Sequence, residues 1–311
     1  MTHPQQPGSL RGLDLTLRRR LDALLPGDHE GMRLGTGFDR EEVVRYQPGE
    51  DVRRVDWNIT ARTGELHVWR PRIDNQLDCR ILLDLSPSMA FGTANQEKRD
   101  LAVAVVGAVA HLIDAPGNRL GVTTVGATGI TWSAADSPRL AAARLIRSIG
   151  DDDQRSGFAP ALSATLRAFA RRHRRPGLRV VITDFLEPAD GLAAPFAWQS
   201  PLRQLAARHD VIAVEVTDPR ESALPDVGLV TLVDPESGRQ RSIWTADPAI
   251  RDRFAATAVA HRDDVRRAIA ASGAAHLAVD TDRDWLRDLA VFLQIRRRTA
   301  RSAVDTRTHP R

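Results

Sequence analysis

From residue 77 onward the chain alternates between two patterns of hydrophobic and polar positions. Short apolar runs bounded by turn residues are typical of buried strands in a parallel sheet. They predict strands at 80–84, 120–125, 130–132, 178–183, 211–216 and 276–279. Apolar residues at helical spacing predict helices at 97–113, 137–149, 160–172, 198–208, 248–271 and 282–297. This alternation predicts an α/β fold with a doubly wound, mostly parallel sheet.

Two local signals belong to the last third of the chain. Residues 229–233 and 241–244 predict a hairpin around Pro235-Glu236-Ser237-Gly238. Thr281 directly precedes the last predicted helix, and a threonine hydroxyl there can accept a backbone N–H of the first turn. We therefore expect Thr281 to be the N-cap of that helix.

The first 76 residues follow a different pattern. Helical spacing predicts a helix at 13–25, whereas 52–57 and 66–69 are predicted as extended segments. We expect Trp57 to pack against a sheet, because aromatic residues are usually part of a core. The chain is therefore predicted to have three parts: a small N-terminal α+β module with a polar tail (1–76), an α/β domain (77–295) and a basic disordered tail (296–311).

Charge and cysteine content narrow the class of protein. The formal net charge is +4, and acidic and basic residues are interspersed, so we expect a solvated mixed surface and no nucleic-acid partner. Cys79 is the one cysteine of the chain, which favours a reducing compartment. No stretch has the apolar length of a membrane span. We therefore expect a cytoplasmic protein without membrane insertion.

Polar side chains follow two of the predicted strands. Asp84, Ser86 and Ser88 come directly after the first strand, and Asp184 ends a second. Ser156, in an acidic loop before a predicted helix, is a third candidate. Open α/β sheets bind ligands at the carboxyl ends of their strands. Oxygen donors without nitrogen or sulfur are the ligands that Mg²⁺ or Mn²⁺ prefers, so we predict a metal site here.

These residues resemble the metal-ion-dependent adhesion site of von Willebrand factor A-type domains. The Asp-x-Ser-x-Ser loop corresponds to Asp84, Ser86 and Ser88, and the strand-end aspartate corresponds to Asp184. Ser156 takes the position where most relatives have a threonine. The resemblance implies that the hydroxyls coordinate the metal directly and that the aspartates act directly or through water. It also implies a von Willebrand factor A-like fold over residues 77–295.

The N-terminal part carries a second, longer resemblance. The segment Arg45-Tyr46-Gln47-Pro48-Gly49-Glu50-Asp51-Val52-Arg53-Arg54-Val55-Asp56-Trp57, followed by Ala61-Arg62, is similar to the bacterial family called domain of unknown function fifty-eight. Members of that family are commonly associated with MoxR-type AAA+ ATPases. The resemblance implies a metal-dependent interaction protein that works with such an ATPase in assembling or activating another protein complex.

Other interpretations of these residues stay open. The Asp84 loop can be an ordinary turn whose serines bond to the backbone, or a degenerate site that binds no metal. A metal-dependent phosphohydrolase is a second alternative, although aspartyl phosphatases need a carboxylate where Ser86 stands. An arginine-rich nucleic-acid-binding module is a third, although the run 171–175 also suits a helix C-terminus. We predict that the protein is not an enzyme.

Overall fold

A computed structural model of the protein describes residues 19–21, 24, 41–48, 51–71, 76–93, 96–149, 159–186, 194–233 and 239–308. The chain forms two compact units, of which the smaller is Gly35–Gln76. Leu21 is fully buried in the core of the larger unit. The predicted first helix, where the structure describes it, therefore belongs to the larger unit and not to the N-terminal module in which we expected it.

The smaller unit contains the antiparallel strands β1 (Glu41–Arg45) and β2 (His67–Pro71), with Val43 opposite Trp69. Between them lie a 3-10 helix (Val52–Arg54) and helix α1 (Trp57–Thr63), whereas we expected residues 52–57 to be extended. The helix forms because the Asp56 side chain accepts two backbone N–H groups of its first turn and Gly64, at φ 73°, ends it. Trp57 is 70% exposed, which contradicts the packing we expected.

The larger unit is built on a six-stranded sheet. Its strands are β3 (Asp78–Asp84), β4 (Arg119–Gly126), β5 (Gly129–Trp132), β6 (Leu178–Thr183), β7 (Asp210–Thr217) and β10 (Ala275–Asp280). Their order across the sheet is β10-β7-β6-β3-β4-β5, and all neighbours are parallel except β4 and β5, which form an antiparallel pair. This confirms the predicted doubly wound, mostly parallel α/β sheet. The predicted hairpin is present as β8 (Leu229–Val233) and β9 (Gln240–Trp244).

Helices cover both faces of the sheet. Successive side chains of a strand point to opposite faces, so Ile81 and Leu83 pack in one core cluster and Leu82 in the other. The first face is covered by α2 (Lys98–Leu112), α3 (Pro138–Ile149) and α7 (Trp285–Thr308). The second is covered by α4 (Leu162–Arg172), α5 (Gln199–Ala206) and α6 (Pro248–Ala271). None of the described helices is both long and apolar enough to cross a membrane.

The last helix differs from the prediction at both of its ends. Helix α7 begins at Trp285 and not at Asp282, so Thr281 does not directly precede it and is not its N-cap. The Thr281 hydroxyl instead donates to Asp218 Oδ2 at 2.7 Å. At the other end, the helix continues to Thr308, where we expected a disordered tail from residue 296. The segment contains no Gly or Pro after Trp285, and its many Arg and Ala residues are strong helix formers.

Candidate functional site

The carboxyl ends of β3 and β6 lie side by side in the middle of the sheet. Strand β4, which follows β3 in sequence, pairs with one edge of β3, and β6 pairs with the other edge. The order in which strands are added therefore reverses between β3 and β6, and ligands of open α/β sheets bind at such a reversal. Asp84 is the last residue of β3, and Asp184 directly follows β6. The structure thus brings both predicted aspartates to this edge.

The loop after β3 holds its oxygen atoms in one place. The backbone N–H of Ser86 donates to Asp84 Oδ1 at 2.9 Å, and the Thr183 hydroxyl donates to Asp84 Oδ2 at 2.6 Å. The loop then enters a 3-10 turn at Pro87, which buries Ser86 and Ser88. Their hydroxyl oxygens are 3.1 Å apart. One carboxylate and two hydroxyls are therefore clustered by local structure alone.

Asp184 is buried and held by two donors. The backbone N–H of Leu186 donates to Asp184 Oδ1 at 3.0 Å, and the Lys98 ammonium donates to Asp184 Oδ2 at 2.8 Å. The chain turns sharply here, because Phe185 has a left-handed backbone with φ 55°. The Phe185 ring packs edge-on against Trp198 at 5.0 Å between ring centroids, which keeps this strained turn in place.

The two carboxylates influence each other. Burial and then the negative charge of Asp184 raise the pKa of Asp84 to about 6, although hydrogen bonds from Thr183 and Ser86 partly oppose the shift. A buried carboxylate next to another carries a repulsion that a cation bound between them would relieve. The edge therefore has a local excess of negative charge in addition to its hydroxyl donors.

Lys98 is a site residue that sequence reasoning missed. It is the first residue of α2, it is fully buried, and its ammonium pairs with both Asp184 and Glu221. Burial alone would lower the pKa of Lys98, but the two carboxylates outweigh it and raise the pKa, so the side chain stays charged. The available signal was its uniqueness, because the chain contains no other lysine among 44 basic residues.

Asp218, also missed, ties three loops together. Its carboxylate accepts from the Thr93 hydroxyl at 2.6 Å, from the Thr93 backbone N–H at 3.0 Å and from the Thr281 hydroxyl at 2.7 Å. It also accepts the backbone N–H of Arg220 at 2.9 Å. Asp218 therefore anchors the far end of the serine loop to the neighbouring strand ends. The signal was a repeated pattern, because β6 and β7 are both followed by aspartate after a final threonine.

A shallow cleft adjoins Asp184 on the side of β7. Within its wall, Glu215 pairs with the ring Nε2 of His276 at 2.8 Å, and Glu221 pairs with Arg262 at 3.4 Å. The lining is Asp184, Leu186, Glu215, Thr217, Glu221, Ala258, His261 and Arg262. The carboxylates of this cleft are engaged by the basic side chains Lys98, Arg262 and His276, so the cleft differs in character from the hydroxyl-rich loop.

The donor set fits a hard cation at the serine loop. Within the described ranges, no group of three or more His, Cys, Asp or Glu side chains is arranged to hold a metal ion. Asp84, Ser86 and Ser88 instead offer one carboxylate and two hydroxyls, a set that suits Mg²⁺ with water completing the shell. Asp184 contributes charge at this edge while Lys98 occupies its Oδ2. Ser156, the remaining predicted ligand, lies outside the described residues.

Comparison with known proteins finds a matching family model and similar mycobacterial proteins. The family model described as "Protein of unknown function DUF58" matches residues 42–264. The uncharacterized protein Rv1480 of Mycobacterium tuberculosis is 44% identical over 96% of this chain and 92% of its own length. The uncharacterized protein MAV169 of Mycobacterium avium is 47% identical over 45% of this chain and 78% of its own length.

Among solved structures, two similar chains illustrate how distant the similarities are. The SpRpn10 VWA domain has a TM-score of 0.36 and 14% identity, covering 69% of this chain and 93% of its own. The PilB minor pilin from Streptococcus sanguinis has a TM-score of 0.39 and 11% identity, covering 77% of this chain and 66% of its own.

Proposed function

We propose that this chain, which belongs to the family of proteins of unknown function DUF58, is a metal-dependent protein-interaction protein and not an enzyme. The residues that would hold Mg²⁺ or Mn²⁺ are Asp84, Ser86 and Ser88, with Ser156 and Asp184 as the other two candidates. The observation that carries the proposal is the cluster at the end of β3. There, two buried hydroxyl oxygens 3.1 Å apart adjoin a carboxylate at the reversal of strand order.

The chemistry of this donor set favours recognition over turnover. A divalent cation held mainly by neutral hydroxyls keeps excess positive charge, so an open coordination position would attract a carboxylate from a partner. Both oxygens of Asp84 already accept hydrogen bonds, from Ser86 and Thr183, which suits a fixed ligand better than an attacking nucleophile. The bound carboxylate and the surface around it would together supply affinity.

The proposed partner is a MoxR-type AAA+ ATPase, together with a client protein complex that the pair assembles or activates. This part of the proposal rests on the resemblance of the N-terminal segment to its family. We propose that the interaction takes place in the cytoplasm. The single cysteine, Cys79, agrees with a reducing compartment, because no disulfide can form within the sequence.

The direct test is a calorimetric titration of the protein with Mg²⁺ and with Mn²⁺. We expect saturable binding in the wild type and in Asp263→Asn, which changes an exposed carboxylate on α6, and loss of binding in Asp84→Ala. Equal heats in the wild type and Asp84→Ala would contradict the proposed site. Turnover of phosphate esters above the level of Asp84→Asn would contradict the non-enzymatic assignment.

The partner is tested at constant Mg²⁺, because an AAA+ ATPase needs Mg²⁺ for its own nucleotide. A MoxR-type ATPase is captured on immobilised wild type, Ser86→Ala and Asp263→Asn in the presence of ATP and Mg²⁺. We expect capture by the wild type and by Asp263→Asn, and much weaker capture by Ser86→Ala. Equal capture by all three proteins would show that the serine loop is not the binding surface.

A further inference from the structure

Lys98 is the one cation that the described structure buries directly against a candidate metal ligand. The side chain is fully buried, and its Nζ lies 2.8 Å from Asp184 Oδ2. A buried ammonium is tolerated only when carboxylates compensate its charge. Separating Lys98 from Asp184 would therefore cost free energy, because it would leave a buried charge without its partner. While the pair persists, the Lys98 ammonium partly neutralises the charge of Asp184 and weakens its attraction for another cation.

Glu221 determines where the ammonium sits. Its carboxylate shares Lys98 with Asp184, and its Oε2 also accepts the backbone N–H of Asp218 at 3.1 Å. Arg262 approaches the same Oε2 at 3.4 Å. Glu221 is thus fixed by the backbone and by a second cation, so the position of the Lys98 ammonium between the two carboxylates is built into the fold.

We propose that Lys98 sets the affinity of the candidate site for its divalent cation. The inference rests on the proposed function, because it concerns the same site. The ammonium repels a second cation at this edge and competes with it for Asp184, whereas Glu221 draws the ammonium away from Asp184. Removing the charge of Lys98 should strengthen cation binding, and removing the charge of Glu221 should weaken it.

The experiment is a set of Mg²⁺ titrations by calorimetry on four proteins: wild type, Lys98→Met, Glu221→Gln and the double variant. We expect Lys98→Met to bind Mg²⁺ at least about tenfold more tightly and Glu221→Gln about tenfold more weakly than the wild type. The double variant restores the net charge of the wild type, so its affinity should return close to the wild-type value. Arg139→Met is the control for loss of a positive charge elsewhere, because Arg139 pairs with Asp114 on the surface.

A second comparison keeps the test decisive if Lys98→Met does not fold. Adding Lys98→Met to Glu221→Gln replaces the buried ammonium by a neutral side chain next to a second neutral side chain at position 221. The double variant should therefore bind Mg²⁺ more tightly than Glu221→Gln alone. The shift in Tm on adding Mg²⁺ should follow the same order as the affinities.

Two different results separate the two ideas. Mg²⁺ affinity that is unchanged across all four proteins but lost in Asp84→Ala would overturn the role of Lys98 and leave the metal site standing. Absence of binding in every variant, including Lys98→Met, would overturn the metal site and this inference with it.

Discussion

Replacing Asp218 by alanine tests whether the site edge depends on a carboxylate that touches no candidate ligand. The fully buried side chain accepts hydrogen bonds from Thr93, Thr281 and the backbone N–H of Arg220. Truncation removes the acceptor and leaves the Thr93 and Arg220 N–H groups without their partner. We therefore expect the serine loop to loosen and the larger unit to lose stability.

The size of the effect follows from the number and burial of these bonds. A hydrogen bond to a charged group contributes about 1.5–3 kcal/mol, and an unsatisfied buried donor costs a similar amount. Because threonine hydroxyls can turn toward other acceptors, the bonds do not add in full. We expect Asp218→Ala to lower the free energy of unfolding by about 3–5 kcal/mol, the contribution of roughly two such bonds. Asp218→Asn keeps part of the acceptor and should cost less than half of that.

The assay is urea unfolding followed by circular dichroism, with amide hydrogen exchange of Thr93 as the local readout. Asp247→Ala is the matched control, because Asp247 accepts one exposed backbone bond, from Ala249 at 2.9 Å, and should cost only about 1 kcal/mol. Exchange of the Thr93 amide should accelerate in Asp218→Ala and not in the control. The reasoning is refuted if Asp218→Ala costs no more than Asp247→Ala, or if exchange at Thr93 is unchanged.

Three further predictions concern pH, packing and binding. Burial, with nearby arginines, lowers the pKa values of His173 and His209 to about 4. These two histidines bind more protons in the unfolded chain than in the folded protein between about pH 6.5 and 4. Asp84 acts in the opposite direction, because its pKa is raised to about 6 in the folded protein, but it is one group against two. We therefore expect stability to fall as pH falls through that range, and equal urea midpoints at pH 7 and 5 would contradict this. Gly177→Ala would place a methyl group against the carbonyl oxygen of Asp78. We expect the free energy of unfolding to fall by at least about 1–3 kcal/mol in the same urea assay. An unchanged free energy of unfolding would show that the backbone relaxes there. Ser86→Ala should weaken Mg²⁺ binding, measured by calorimetry, at least about tenfold. The Tm measured without metal should be nearly unchanged. Mg²⁺ affinity equal to that of the wild type would exclude this hydroxyl as a ligand.

The fold class of the larger unit was predictable because its signal is local and repeated. Strand β6 is buried at each position and apolar at Leu178, Val180, Val181 and Ile182, which is what a central parallel strand requires. The helices show the same agreement, since 248–271 was predicted with the bounds that α6 has. Where local caps compete with propensity, the prediction failed, as at Asp56, whose side chain starts a helix at Trp57, the last residue of a segment that we expected to be extended.

The candidate site was predictable only in part. Asp84, Ser86 and Ser88 lie within five consecutive residues, so one loop brings them together without any help from the rest of the chain. Asp184 was found because it ends an apolar strand. Lys98 pairs with a residue 86 positions away and Asp218 with one 125 positions away. The single lysine and the Thr-Asp repeated at two strand ends were signals for these residues, but neither signal identifies a partner so far away in sequence, and both residues were missed.

The amino-acid sequence by itself determined most of the strands and helices of the larger unit, and it placed oxygen donors at the ends of two strands. Those properties depend on neighbours within a few residues, through burial periodicity and turn chemistry. Only the tertiary structure decided which strand ends meet, because strand order depends on crossover connections and not on the strands themselves. That order put a buried ammonium against Asp184, and it therefore decided the electrostatic character of the candidate site.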